Sequence, residues 1–416
     1  MDIVFFVWEY PPRLVGGLGT YAAEITRELV KLGHTVLVFT LNDGKLRTRE
    51  LMAGVEVHRP YLVDLTEIMF DVVAEDIRRW GPGLKFFCDI FLYNILSASK
   101  LVNDLVRKEQ LRVDIISVHD WLSVIGGVIA KQELKLPMVF HFHSTEQGRT
   151  LGDGSKIVIE LERKGASYSD AIVTVSYAMK DELIGLGYPS EKIHVVWNGV
   201  DPNKYDPGKI SQEEREAIRR RYGIGEDEFM ILFVGRLTPV KGPDKLIMAM
   251  PYVLEKHPNA KLVIVGKGEM ESYLTNLAKS LGIVDKVKFR FEFISERERI
   301  AHYAAADVAV FPSLYEPFGI VALEAMAMEV PVVVGARGVS GFRESVVPYG
   351  PEQTGYHVNP YDPKDIAWGI NCILDDPKRA RQLGKNGRQR VLREFTWRRV
   401  AERTVEVYQK VLEESG

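Results

Sequence analysis

The sequence predicts an α/β protein built from two doubly wound units in tandem. Three observations carry that prediction. Short, continuous apolar runs recur along the chain, which is the pattern of strands buried on both faces of a parallel sheet. Helical stretches separate the runs, as crossovers between parallel strands require. The alternation comes as two series of similar length, divided near residues 198–229.

The first series opens with an apolar run at 3–7, broken by Pro11 and Pro12. Gly16-Gly17-Leu18-Gly19 follows, then a helical pattern over 20–32 that stops at Gly33, and a second buried strand at 35–40. Strand, glycine-rich loop, helix and strand make one parallel βαβ unit. Further strands are expected at 115–118, 138–143, 172–175 and 193–197. Residues 198–229 change character, with clustered Asp, Pro, Asn and Gly and then the charged run SQEEREAIRRR. That reads as a linker carrying a surface helix. The second series has strands at 230–234, 261–265, 287–291, 308–311 and 330–334, with helices including 245–255 and 295–305. Trp397, Val400, Val405, Tyr408 and Val411 give residues 396–414 a strong amphipathic pattern. Residues 59–102 are the least regular part of the first half and rich in aromatics: Tyr61, Phe70, Trp80, Phe86, Phe87, Phe91 and Tyr93. They read first as helices packing on the sheet, and second as an acceptor-binding insertion whose aromatic faces suit sugar rings.

Composition narrows the function. A formal net charge of −3 gives no general affinity for nucleic acid or anionic membrane. Two cysteines, Cys88 and Cys372, exclude a disulfide framework and a cysteine-rich zinc site, and a bridge between them is not expected. The first ten residues carry acids and no base, unlike a secretory signal, and no apolar run approaches bilayer length. The expected address is the cytoplasm.

Three clusters point to chemistry. In Tyr315-Glu316-Pro317-Phe318-Gly319-Ile320-Val321-Ala322-Leu323-Glu324, Pro317 fits the first position of a helix. Glu316 and Glu324 then stand at either end of one helical edge, roughly 10–12 Å apart. The free N–H groups near Phe318, Gly319 and Ile320 lie between them, suited to a diphosphate. In Phe233-Val234-Gly235-Arg236-Leu237-Thr238-Pro239-Val240-Lys241-Gly242, a strand ends in a loop bearing two cations. Gly235 lets backbone approach a ligand, and Arg236 and Lys241 suit a departing diphosphate. There is no Asp-x-Asp pair to hold Mg²⁺, so no metal or other cofactor is expected. In the first half, the helix after Gly16 and Gly17 can face phosphates across the cleft. His119-Asp120-Trp121 and His141-Phe142-His143 each follow a strand, at the edge where α/β sheets bind ligands. His119, His141 and His143 lack a further ligand to complete a zinc site.

Taken in order, these residues resemble the retaining GT-B glycosyltransferases, the group that includes glycogen and starch synthases. The resemblance spans the chain: GGLG, HDW, HxH, Asn198-Gly199-Val200-Asp201, Arg236 with Lys241, Glu316 with Glu324, and Phe395-Thr396-Trp397. It implies two Rossmann-like domains facing across a cleft, 1–200 on the acceptor side and 201–395 binding the nucleotide sugar, with 396–416 crossing back onto the first. By that resemblance Arg236 and Lys241 bind the donor diphosphate, Glu324 the ribose and Glu316 the transferred sugar. Backbone at Gly319 meets donor hydroxyls, and Gly16 and Gly17 let the first loop close over the phosphates. His143 lies beside the anomeric centre and the donor 6-hydroxyl, and Asp120 near the reacting sugars.

Glycogen synthases resemble the chain most, through WEYPP, GGLG, HDW and NGVD. Leu14 stands where those of bacteria and plants usually carry Lys, Phe318 where many carry Cys, and HSTE where His-Asn is common. These departures pull toward the wider group. The expected reaction is transfer of a hexose, glucose first, from a UDP- or ADP-linked donor to an α-1,4-glucan. The alternatives are an α-mannosyl- or other hexosyltransferase on a small-molecule, lipid or glycan acceptor, a nucleotide-sugar epimerase, or a non-catalytic sugar-binding protein.

Overall fold

The computed structural model describes residues 1–14, 16–65 and 82–415. Its strands form two sheets. The first has eight strands in the order β3-β4-β2-β1-β5-β6-β7-β8, and the second has six in the order β11-β10-β9-β12-β13-β14. Every pairing is parallel except the β3–β4 hairpin.

The strands fall where the apolar runs stand. In the first sheet they are β1 (Asp2–Phe6), β2 (Thr35–Phe39), β5 (Ile115–His119), β6 (Met138–Phe142), β7 (Ala171–Thr174) and β8 (Ile193–Val195). In the second they are β9 (Phe229–Val234), β10 (Ala260–Val265), β11 (Val287–Arg290), β12 (Val308–Phe311) and β13 (Val332–Gly335). Most are buried along their whole length because helices cover both faces. Three strands lie outside the expected set. β3 (Arg49–Met52) and β4 (Val55–His58) form an edge hairpin whose turn puts Ala53 and Gly54 at φ 50 and 83, the geometry of a primed two-residue turn. β14 (Gly355–Val358) is short and half polar. Edge strands need less apolar sequence, so they leave a weaker signal.

Each sheet reverses its winding once, between β1 and β5 and between β9 and β12. Crevices for ligands open at such switch points. The glycine-rich loop follows β1, Asp120 follows β5, Arg236 and Lys241 follow β9, and Glu316 follows β12. The four strands flanking the two reversals therefore carry most of the candidate site.

The linker reading holds its surface helix, Gln212–Arg221, started by a Ser211–Glu214 capping box. The C-terminal helix Trp397–Ser415 packs on the first sheet, with Trp397, Val400, Tyr408 and Val411 in one core with Ile3, Phe5 and Tyr21. The chain thus crosses between the sheets twice, and the crossings touch. The Val200 N–H donates to the Phe395 carbonyl at 2.9 Å. A Cβ on Gly199 would lie 2.9 Å from the Thr396 carbonyl carbon, so glycine in NGVD answers to packing between the crossings. Cys88 and Cys372 are free thiols.

Of the aromatic segment, Phe70 and Trp80 lie outside the described residues. Helix Pro82–Ser99 buries Tyr93, whose hydroxyl donates to the Phe39 carbonyl at 2.9 Å, as core packing predicts. Phe86 and Phe91 are exposed. Phe86 meets Trp8 and Trp121 edge-on, with centroids 5.8 and 6.3 Å apart.

Candidate active site

The second domain supplies charge at its switch point. Lys241 Nζ lies 2.6 Å from Glu316 Oε2, which also accepts from Ser313 Oγ at 3.0 Å. The resemblance gives the two residues separate tasks; in the structure they form one ion pair. Arg236 is exposed and makes no hydrogen bond or ion pair with a described residue. A Cβ on Gly235 would meet only the Phe233 ring at 3.4 Å, whereas one on Gly266 would fall 1.8 Å from the Gly235 carbonyl oxygen, so the tighter demand for glycine lies at 266.

The motif at 315–324 differs from its expected geometry. The helix begins at Ile320, with Gly319 as its cap at φ 92, and Pro317 stays in the preceding loop. Two contacts hold that loop extended: Glu316 N–H donates to Val339 and Gly341 N–H donates to Glu316. Glu316 therefore sits before the helix rather than at its edge. Any side chain at 319 would be strained by that φ, and its Cβ would come 2.0 Å from Phe342. The N–H groups of Phe318, Gly319 and Ile320 meet no backbone acceptor among the described residues. They remain suited to an anion. The Phe318 ring is buried beside Phe395, so only its backbone serves the cleft.

Glu324 is buried and held at both oxygens. Tyr205 OH donates to Oε1 and Tyr303 OH to Oε2, each at 2.9 Å, and Arg299 approaches Oε1 at 3.2 Å. The carboxylate of Glu324 is the main cause that raises the pKa of Arg299. Sequence reading missed these three partners, since nothing in their spacing ties them to Glu324. Tyr205 comes from the linker, so the linker touches the acid. Lys204 beside it pairs with Glu24 of the first domain at 2.5 Å and Glu296 of the second at 3.7 Å. With Thr20, Ile320 and Glu324, these line a small cleft between the domains.

The first domain brings His119, His141 and His143 onto one sheet face, because β5 and β6 pair His119 with His141 and side chains alternate. Their ligand atoms fall within 4.8 Å of one another, but the ring nitrogens that meet are engaged in hydrogen bonds with one another, Ser117 and Tyr408. Burial, then the neighbouring imidazoles, lowers His119 and His141 well below the usual histidine range. Burial also lowers His143, against an upward pull from Asp120. Asp120 has φ 56 and ψ 171, a strained conformation for a side-chain residue. The strain aims Oδ1 at the His143 N–H, 2.8 Å away.

Beyond His143 the loop meets the other domain. Thr145 N–H donates to Tyr315 OH at 3.0 Å, and Tyr315 OH donates to Glu182 at 3.2 Å. A Cβ on Gly148 would lie 2.1 Å from the Tyr315 ring. Gly16 and Gly17 have open space beside them, and Gly16 N–H donates to Glu9 at 3.0 Å.

Below this loop, Arg149 pairs with Glu146 at 2.7 Å and Glu162 at 3.9 Å. Burial pushes the Glu162 carboxyl up to about 8 against the pull of Arg149. Between its ordinary value of 4.5 and that value, the native state keeps a proton the unfolded chain has lost. Stability then falls as pH rises through the window. Glu162→Gln keeps an oxygen for the Glu146 N–H and loses the titration. Its melting temperature relative to wild type should climb between about pH 5 and pH 8 and level off above. A difference that stays flat across that range would contradict this account.

Known proteins supply the comparison. Residues 214–390 match the family Glycosyl transferases group 1, and residues 15–204 match Glycosyltransferase Family 4. An uncharacterized glycosyltransferase of Methanocaldococcus jannaschii is 38% identical, with 100% of both chains covered. The chain belongs to the GT-B glycosyltransferase superfamily. A glycogen synthase of Mycobacterium tuberculosis is 31% identical to this glycosyltransferase, over 98% of this chain and 94% of that one. A D-inositol 3-phosphate glycosyltransferase of Thermobispora bispora is 33% identical, over 96% and 90%. Among solved structures, sucrose-phosphate synthase from Thermosynechococcus elongatus superposes with a TM-score of 0.78 at 22% identity, covering 100% of both chains. Anabaena HepE in complex with UDP and glucose has a TM-score of 0.72 at 22% identity, over 99% of this chain and 100% of that one. No helix among the described residues is long and apolar enough to cross a membrane.

Proposed function

We propose that this glycosyltransferase moves a hexose, glucose first, from a nucleotide diphosphate sugar to an α-1,4-glucan with retention at the anomeric carbon. The observation that carries the reading is the strand-end loop that holds both Arg236, exposed and without a partner among the described residues, and the Lys241–Glu316 pair. A diphosphate arriving there gives Lys241 a second anionic partner and Arg236 its first. Glu316, already hydrogen-bonded by Ser313, is then released to accept hydroxyls of the transferred sugar. Glu324 keeps a lone pair for a ribose hydroxyl at Oε2, which has a single donor, Tyr303. Amides at Phe318, Gly319 and Ile320 add fixed dipoles.

In the reaction, the bond from the anomeric carbon to the diphosphate oxygen breaks as the acceptor oxygen bonds on the same face. The acceptor proton passes to the departing diphosphate. Arg236 and Lys241 stabilise the negative charge that develops there, and domain closure excludes water. Two fixed cations can perform the charge neutralisation that Mg²⁺ performs elsewhere, so turnover should persist in EDTA. The bound UDP of the HepE structure fits a nucleotide donor.

A second reading keeps the donor and changes the acceptor to a small phosphorylated polyol. It is favoured by the inositol phosphate enzyme at 33% identity and by Leu14 and Phe318. The test is purified protein with UDP-, ADP- and GDP-sugars, in EDTA, with and without glycogen, maltooligosaccharides or inositol phosphate. Glucan-dependent release of nucleoside diphosphate with chain elongation supports the first reading. Release dependent on inositol phosphate supports the second. Strict dependence on added metal would refute the role given to the two cations, and no donor turnover at all would refute both readings.

A further inference from the structure

Five side chains on β5, at the end of β6 and on the C-terminal helix form one hydrogen-bonded chain under the candidate site. His143 Nε2 lies 3.1 Å from His119 Nδ1, and His119 Nε2 lies 2.9 Å from Ser117 Oγ. Ser117 Oγ lies 2.6 Å from Tyr408 OH, which lies 2.9 Å from His141 Nε2. All but His143 are buried. Tyr408 is 291 residues from Ser117 in sequence, so the C-terminal helix completes a network of the first sheet.

We propose that Tyr408 is a positioning residue for His143, holding that imidazole in the tautomer with its proton on Nδ1. The inference rests on the reading of His143 as the imidazole beside the transferred sugar.

The protons of the chain can be counted. Each link needs one, and each neutral imidazole and each hydroxyl supplies one. The three rings are neutral, because burial disfavours their charged forms, helped at His119 and His141 by the neighbouring imidazoles. Only two arrangements fill all four links and leave neither hydroxyl proton idle. In one, protons point from His141 through Tyr408, Ser117 and His119 to His143, which then carries its own proton on Nδ1. In the other, every link is reversed, and His141 carries its proton on Nδ1.

The ends decide between them. His141 is 2% exposed, and its Nδ1 has no hydrogen-bond partner among the described residues. An N–H there would have no protein acceptor among the described residues and almost no solvent, whereas a bare ring nitrogen is the lesser penalty. His143 is only partly buried, so an N–H at its Nδ1 can reach a bound hydroxyl or water. The first arrangement therefore prevails.

Neighbours hold the rings in place. Phe5 stacks on His119 at 4.8 Å, Tyr21 lies 4.5 Å from the His143 ring, and Asp120 takes the His143 backbone N–H. With its proton on Nδ1, His143 offers the sugar a hydrogen-bond donor and has no free nitrogen with which to take the acceptor proton. That matches a reaction in which the diphosphate takes it.

Tautomers can be read without donor or acceptor, by long-range ¹H–¹⁵N correlation on the full chain labelled with ¹⁵N-histidine. Wild type should show the Nδ1–H form for His119 and His143 and the Nε2–H form for His141. Tyr408→Phe removes the links to Ser117 and His141, and Ser117→Ala removes the links to Tyr408 and His119. Each should change the His119/His143 tautomer ratio by about tenfold, the worth of one buried hydrogen bond. Val411→Ala on the same helix should lower the melting temperature and leave the tautomers alone. In Y408F, kcat should fall about tenfold with the donor KM within about twofold. Wild type with Nε2–H at His143, variants with unchanged tautomers, or Y408F with altered tautomers and unaltered kcat would each overturn the proposal. Absence of turnover in wild type would strike the transferase reading and leave the tautomer result to decide the chain.

Discussion

Lys241→Ala should lower kcat at least about a thousandfold, and it should lower the melting temperature as well, because the buried Glu316 loses its counter-ion. The ammonium is partly exposed, with 22% of its side chain open, but Glu316 has only 7% open, so the buried acid bears the loss of the pair. Glu316 keeps its bond from Ser313 and is not left without a partner. The loss of rate falls on the transition state, where charge on the departing diphosphate is greatest. Arg236→Ala should lower kcat alike, and Arg236→Lys should recover only part, because a point charge lacks the planar fork that grips two phosphate oxygens. Initial rates across donor concentrations measure it. Near-normal kcat in Lys241→Ala would remove this loop from the chemistry.

Glu324→Gln should destabilise the second domain by about 2–4 kcal/mol, because it leaves the partly buried Arg299 charge with only the Glu296 carboxylate, 4.0 Å away. That corresponds to a fall of roughly 5–10 °C in its melting transition. Tyr205 and Tyr303 also lose a charged acceptor at 2.9 Å. Donor KM should rise in the same variant, since the carboxylate faces the cleft with Lys204 and Glu296. Thermal unfolding with and without nucleoside diphosphate separates the two effects. An unchanged melting temperature would mean that the Arg299–Glu324 contact contributes nothing net.

Much of the fold was legible because strands buried on two faces must be apolar throughout. The runs at 3–7, 115–118 and 308–311 admit few other readings, and the strands found there overlap them closely. The edge strands β3 and β14, and the β4 strand that forms a hairpin with β3, were not legible, because short, partly polar sequences such as RELM and GYHV make no continuous apolar run. The start of the helix at Ile320 was misplaced for a different reason. Pro317 satisfies the local rule for a helix start, but the 339–341 segment pairs with Glu316 and keeps the loop extended. A contact from outside the motif overrode a preference within it.

The sequence by itself determined the alternation of strand and helix, the two-unit plan, and the residue types at the strand ends. Those follow from local periodicity and from backbone chemistry, which act over a few residues. Only the tertiary structure decided that Lys241 pairs with Glu316, that Tyr205, Tyr303 and Arg299 hold Glu324, and that Tyr408 joins the histidines of the first sheet. These partners stand between 21 and 291 residues apart. Their meeting depends on strand order and on where the chain crosses back, and no local pattern of apolar and polar residues records either.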